Sequence, residues 1–344
     1  MSKVLVAMSG GIDSSVAAGL LQNKGYEVIG ATMVVHESFS EVKNAREIAN
    51  RLNIELEIFD FQKTFAHKVI DNFVKEYSVA RTPNPCIICN KEIKFGLLLD
   101  KALQMGCDYI ATGHYAKIEH DIEKSGHYLL KRARDKKKDQ SYMLYLLTQK
   151  QLEHSLMPLG DYTKKEVRKL AEELGVLIEE RRESQEICFI PDDDYINYLD
   201  VNHPQISKPG PILNKYGEKL GEHKGLHRYT IGQRRGLEIS LPYPVYVIEL
   251  DKARNAVIVG KNKEVFTKEC YVNKINWIAI DNLKSSRKVD VKIRYNSPAR
   301  EAIVYPHKED TVRIVFDEEQ RAITPGQSAV FYEGETVLGG GIIR

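Results

Sequence analysis

An α/β fold is predicted: a doubly wound, mostly parallel sheet, then a small central domain, then a C-terminal antiparallel β-barrel. Three observations predict it. Over roughly the first two hundred residues, apolar runs of strand length alternate with segments of helical periodicity. After about residue 202 Gly and Pro become frequent, as in Pro209-Gly210-Pro211, Gly217, Gly221 and Gly225, and the helical period fades. From Val272 onward short alternating segments dominate, separated by turn chemistry such as Thr324-Pro325-Gly326. The expected domains are 1–202, 203–267 and 268–344.

The elements follow in order. Val4-Leu5-Val6-Ala7-Met8 reads as a buried first strand, and Val16, Ala17, Leu20 and Leu21 share one face of a helix after it. Val28–Val35 reads as the second strand, Val42, Ala45, Ile48, Ala49 and Leu52 as a helix face, and Leu56–Phe59 as the third strand. Lys91–Met105 reads as helix and Tyr109–Thr112 as another buried strand, with Gly113-His114-Tyr115 at its carboxyl end, where such sheets bind ligands. Thr163 and Glu166 form a capping box before a helix carrying Val167, Leu170, Ala171 and Leu174. In the tail, Val289–Tyr295, Glu301–Tyr305, Thr311–Phe316 and Ser328–Tyr332 read as strands.

The 344 residues carry a net charge of +2, so binding of a polyanion must rest on local basic clusters. Lys131–Lys138, with six basic residues in eight, Arg234-Arg235, and Lys292 with Arg294 are the candidates. No apolar run approaches the roughly 18 residues of a membrane span, and the N-terminus runs straight into strand one without a signal peptide. The five cysteines are an odd number, which argues for a reducing, cytoplasmic setting. Cys107 and Cys270 sit among apolar or strand residues and read as core thiols.

Ser9–Ser15 is the most informative stretch. It joins the first strand to the first helix, Gly10 and Gly11 allow close approach of backbone N–H groups, Ser9, Ser14 and Ser15 add hydroxyls, and the helix N-terminus favours an anion. The chain contains no G-x-x-x-x-G-K-S/T, so this is not a Walker loop. A second constellation is Cys86-x-x-Cys89. Thr82-Pro83-Asn84-Pro85 discourages helix before it, and Cys89 falls near a helix start, where the dipole is expected to lower a thiol pKa. Cys188 follows about a hundred residues later, with Arg181 and Arg182 upstream. Zinc would need a fourth ligand, such as a His. A redox pair forms if Cys89 and Cys188 meet, and an iron–sulfur cluster with three Cys ligands and one open iron also fits.

The pattern S-G-G-I-D-S-S at 9–15 resembles the pyrophosphate loop of ATP pyrophosphatases. With T-P-N-P-C-I-I-C-N-K-E-I-K-F-G at 82–96, A-T-G-H-Y-A at 111–116, K-D-Q-S-Y at 138–142 and S-Q-E-I-C-F-I at 184–190, the chain resembles tRNA-specific 2-thiouridylases. G-E-H-K-G-L-H at 221–227, T-I-G-Q-R-R-G-L at 230–237, K-I-R-Y at 292–295, T-P-G-Q-S-A-V-F-Y at 324–332 and L-G-G-G-I-I at 338–343 extend the likeness over nearly the whole chain.

The resemblance implies an adenine-nucleotide-hydrolase-like fold and a sulfurtransferase that adenylates O2 of wobble uridine U34 and replaces it with sulfur. It implies ATP phosphates held by Met8, Ser9, Gly10, Gly11, Ile12, Asp13, Ser14 and Ser15, with Asp13 a Mg²⁺ ligand and Met33 and Gly113 near the adenosine. Asn84, Pro85 and Cys86 would line the target-base pocket. Cys89 matches the nucleophile and Cys188 the persulfide carrier. His114, Lys138, Asp139, Gln140, Arg294, Tyr295 and Gln327 match positions that contact tRNA. The implied partners are the tRNA anticodon loop and a sulfur donor such as a cysteine desulfurase or relay protein.

Two departures stand out. Many members carry Asp where this chain has Cys86, and the segment after Met33, through His36 and Phe39, is short. Alternatives are the same reaction through a 4Fe-4S cluster on Cys86, Cys89 and Cys188, an amidating synthetase, for which no cysteine is needed, and a non-catalytic RNA-binding module.

Overall fold

The computed structural model describes residues 1–36, 39–123, 125–176, 187–308 and 310–344. Arg181 and Arg182, and Ser184, Gln185 and Glu186 of the Cys188 motif, lie outside the described residues.

The first strands are β1 (Lys3–Ala7), β2 (Glu27–Val34), β3 (Glu55–Asp60), β4 (Tyr109–Ala111), the hairpin β5 (Ala116–His120) and β6 (Tyr128–Arg132), and β7 (Ser155–Leu156). Five of them form a parallel sheet in the order β3-β2-β1-β4-β7. Strand periodicity sends alternate residues to opposite faces. Val4 and Val6 therefore pack with Val16, Ala17 and Leu20 of helix Ile12–Asn23, while Leu5 packs with Ile93 and Leu98 on the other side. Both faces are covered, as a doubly wound sheet requires. The chain leaves β1 toward β2 and β3, then returns to place β4 on the other flank of β1. That reversal opens a crevice at the carboxyl ends of β1 and β4, the position where open α/β sheets bind ligands.

The central unit holds β8 (Gly210–Asn214), β9 (Lys219–His223), β10 (Tyr246–Asp251) and β11 (Ala256–Gly260), in the order β10-β11-β8-β9. Ile212, Val247, Val257 and Val259 form its own core. The last unit holds β12 (Phe266–Trp277), β13 (Arg287–Lys292), β14 (Arg300–Pro306), β15 (Thr311–Arg321), β16 (Ser328–Glu333) and β17 (Thr336–Ile343). These six run β12-β15-β14-β13-β16-β17, and β12 also pairs with β17, so the barrel closes and leaves no free edge within the ring.

One arrangement was not legible in the sequence. The β5–β6 hairpin, which lies between β4 and β7 in the chain, leaves the parallel sheet and joins the barrel's sheet through Thr336 opposite Lys131. Side chains deepen this junction. The Tyr142 hydroxyl donates to the Ser328 carbonyl at 2.9 Å, and the Asn276 amide donates to the Tyr145 carbonyl at 2.7 Å.

Candidate active site

The glycine-rich turn leaves β1 at the switch point. Met8 is buried, with its carbonyl accepting from Thr32 Oγ1 at 3.0 Å, and Gly10 takes a φ of +75°, which a residue with a Cβ adopts at a cost. Gly11 is the N-cap of helix Ile12–Asn23 and lends it no side-chain cap. The helix therefore keeps N–H groups turned toward the crevice. Ser14 and Ser15, expected to face a ligand, are buried, and both hydroxyls donate to the Gly11 carbonyl, at 3.0 and 2.8 Å. They brace the turn; of the three serines Ser9 alone is exposed. Gly113 lies against the turn so closely that a Cβ there would stand 2.8 Å from the Asp13 carbonyl carbon and the Ser14 nitrogen. Met33, at the carboxyl end of β2, is half-buried in the same crevice region, packed with Phe59 around one core.

Asp13 is paired across the crevice. Both its carboxylate oxygens accept from Lys164 Nζ at 2.8 Å, and Oδ1 also accepts from the Tyr115 hydroxyl at 2.7 Å. Its charge is answered by an ammonium in this structure. Lys164 arrives on the first turn of helix Lys164–Glu173, whose capping box forms as expected. Its role went unseen because the two residues are 151 positions apart.

Asn84 is the N-cap of helix Pro85–Cys89, with Pro85 in the first turn. The helix continues without a break into a wider π-helical stretch, Asn90–Leu97, a local geometry frequent at functional sites. Cys86 is exposed and Cys89 half-buried. The Cys89 thiol runs opposite to the expected depression: burial pushes it above the usual cysteine range, the Lys94 ammonium pulls it partly back, and neighbouring Cys86 adds to the rise. Cys89 lies just past the first turn of this continuous helix, where the N-terminal dipole has largely fallen off. Cys188 is exposed beside buried Phe189, whose ring lies 5.7 Å from Phe65 and 5.4 Å from Phe73. Ile87, Ile93 and Phe189 belong to one apolar cluster, with Cys89 and Ile187 at its margin, so both cysteine segments are held by the same core. Cys107 and Cys270 are buried, as expected of core thiols. Among the described residues no three of His, Cys, Asp and Glu converge as a metal-ion site.

The expected tRNA-contact positions divide. Asp139 is buried and accepts from the Ala133 N–H at 3.0 Å and the Ser141 hydroxyl at 2.9 Å, so it organises the turn after the basic run. Gln140 Oε1 accepts from the Tyr115 N–H at 2.9 Å, tying that run to the residue that holds Asp13. His114 accepts or donates at 2.7 Å with Thr112 Oγ1, and burial, aided by Lys94, holds its imidazole well below the usual range. Arg294 donates to the Ala322 carbonyl and to Thr324 Oγ1, and Gln327 donates to the Thr82 carbonyl at 2.9 Å. Lys138 is half-buried.

A cavity of about 350 Å³ between the hairpin and the barrel is lined by Arg132, Lys136, Lys137, Asp139, Lys292 and Tyr295 among others. Lys292 Nζ stands 5.7 and 5.4 Å from the ring centres of Tyr142 and Tyr295, and burial lowers its pKa. A basic recess with aromatic walls suits a phosphodiester and an unstacked base. A slightly larger cavity, about 400 Å³, lies within the central unit around Arg234–Val245 and is lined by Arg234 of the second basic cluster.

Comparison with known proteins agrees with this geometry. Residues 2–192 match the family described as tRNA methyl transferase HUP domain, 200–261 its PRC-barrel domain, and 267–343 the aminomethyltransferase beta-barrel domain. The tRNA-specific 2-thiouridylase MnmA of Halothermothrix orenii is 55% identical over 100% of this chain and 99% of its own. The protein of the same name from Clostridioides difficile is 48% identical over 99% of this chain and 98% of its own.

Proposed function

The chain belongs to the tRNA-specific 2-thiouridylase family, and from that premise we propose how its own residues thiolate a tRNA uridine at the expense of ATP. The observation that carries the reading is the crevice at β1 and β4, which brings a glycine-rich turn, Gly113 and Lys164 to one place.

Uridine O2 attacks the α-phosphorus of ATP, the bond to the bridging oxygen breaks, and pyrophosphate leaves while the N3 proton is released. The helix N-terminus and Lys164 receive the developing charge, because preorganised N–H groups and a desolvated ammonium need no rearrangement to do so. Mg²⁺ would screen the same charge; no step is assigned to Asp13 as its ligand. The terminal sulfur of a Cys188 persulfide attacks C2, and the C2–O bond breaks as AMP departs. The Cys89 thiolate attacks Cys188 Sγ, the S–S bond breaks toward the base, sulfur remains on C2, and N3 regains its proton. The product Cys89–Cys188 disulfide needs a two-electron thiol reductant and a fresh sulfur from a persulfide donor, conditions met in the cytoplasm. These steps draw on Cys89 and Cys188 alone, and none is routed through an iron–sulfur cluster.

The catalytic unit is read as 1–202, the central unit as 203–267 and the tRNA-binding barrel as 268–344. The test supplies purified protein with a tRNA bearing U34, ATP and a persulfide donor. 2-Thiouridine and AMP are expected in equal amounts. Cys188→Ser should still release pyrophosphate yet leave the base unsulfurated. Thiolation without ATP, or by Cys188→Ser, would refute this sequence of steps.

A further inference from the structure

We propose that the barrel's Thr324–Gln327 turn is a clamp that positions the cysteine helix, a second task for the barrel beside holding tRNA; it rests on the assignment of Cys86 and Cys89 to the site. The turn meets the three residues immediately before Asn84. The Thr82 N–H donates to the Pro325 carbonyl at 2.9 Å. Gln327 Nε2 donates back to the Thr82 carbonyl at 2.9 Å and approaches the Pro83 carbonyl at 3.5 Å. Arg81 donates to the carbonyl of Ile343 at 3.0 Å and pairs with Glu76 at 2.8 Å. Gly326 permits the approach: its φ is +92°, and a Cβ there would stand 2.8 Å from the Thr82 nitrogen. The central unit touches the same segment, with Thr230 Oγ1 3.5 Å from Thr82 Oγ1.

The chain just before the clamp is itself constrained. Ala80 holds a φ of +60°, a conformation that a non-glycine residue keeps only where its surroundings impose it. Two prolines at 83 and 85 then stiffen the path into the helix. A displacement at Thr82 is therefore passed on to Cys86 and Cys89 with little to absorb it. Positions 82 and 327 lie 245 residues apart, so the catalytic loop takes its final place only when the barrel has folded and docked.

The test is alkylation of the full chain by iodoacetamide without tRNA, with the rate at each cysteine read by mass spectrometry. In Gly326→Ala and in Gln327→Glu, whose carboxylate faces two carbonyls with no proton to donate, the half-buried Cys89 should react about fivefold faster, the shift expected when one such hydrogen bond is removed. Buried Cys107 and Cys270 should keep their wild-type rates. Because tRNA is absent, a Gln327 that only contacts RNA leaves Cys89 unchanged, and that result overturns the clamp. Equal acceleration at Cys107, Cys270 and Cys89 in both variants also overturns it, because the turn would then hold the fold and not the loop. Failure of the clamp leaves the thiolation assay above unaffected, so the two readings fall separately.

Discussion

Gly113→Ala tests the crevice most directly. The added Cβ would lie 2.8 Å from the Asp13 carbonyl carbon and Ser14 nitrogen, and 3.0 Å from Asp13 Cβ. Carbon contacts become favourable only near roughly 3.5 Å, so turn and strand end must separate by about 0.7 Å. The neighbours are backbone, braced by the Ser14 and Ser15 hydroxyls on Gly11, so a rotamer change does not relieve the contact. A misplacement of about 1 Å costs on the order of a hundredfold in rate, so tenfold or more is expected here, about 1.4 kcal/mol at the barrier. The assay is AMP release across an ATP titration at saturating tRNA. The expected outcome is a raised KM for ATP and a lowered kcat, with tRNA affinity within twofold of wild type. Gly19→Ala, in helix Ile12–Asn23 behind the turn, meets only the flexible tip of Leu174 and should stay near wild type. Unchanged KM and kcat in Gly113→Ala would show that ATP does not lie against this turn.

Lys164→Met leaves Asp13, among the described residues, the Tyr115 hydroxyl as its side-chain partner; AMP formation should fall by about tenfold or more while tRNA binding stays within twofold, and normal AMP formation would remove Lys164 from the reaction. Because burial raises the Cys89 thiol, its thiolate fraction grows with pH, so single-turnover sulfur transfer should still be climbing above pH about 8.5, where an ordinary thiol levels off. Lys94→Met removes the cation that opposes the rise and should shift that profile further alkaline; a plateau near neutrality would contradict the raised thiol. Burial also pushes Cys270 up to about 12. A raised folded-state value contributes stability that is full below the unfolded thiol range and is lost as pH climbs from there toward the folded value, so thermal melts should weaken above pH about 8.5 and Cys270→Ala should flatten that slope. Cys86→Ser, prepared anaerobically, should retain thiolation without bound iron, whereas joint loss of iron and activity would reinstate the cluster. Lys137→Ala, on the rim of the basic recess, should reduce the log–log salt slope of tRNA binding by roughly 0.7 to 0.9 for each phosphate that the ammonium neutralises.

Short-range physics is written along the chain and can be read from it. The unbroken apolar run at Val4–Val6 reports a sheet covered on both faces, the helical period from Val16 to Leu21 reports the helix behind the glycine turn, and Thr163 with Glu166 announces its own capping box. Gly10 and Gly11 mark a turn suited to an anion because backbone approach and helix polarity are properties of a few adjacent residues. Folding in three dimensions fixed the rest. Asp13 meets Lys164, Gln327 meets Thr82, and the β5–β6 hairpin joins the barrel, all across separations that no local pattern records. The Cys89 thiol moved opposite to expectation because a helix dipole acts over one turn along the chain, whereas desolvation depends on every segment that packs around the sulfur. Polarity and period are set residue by residue; burial and charge pairing exist only once distant segments have met.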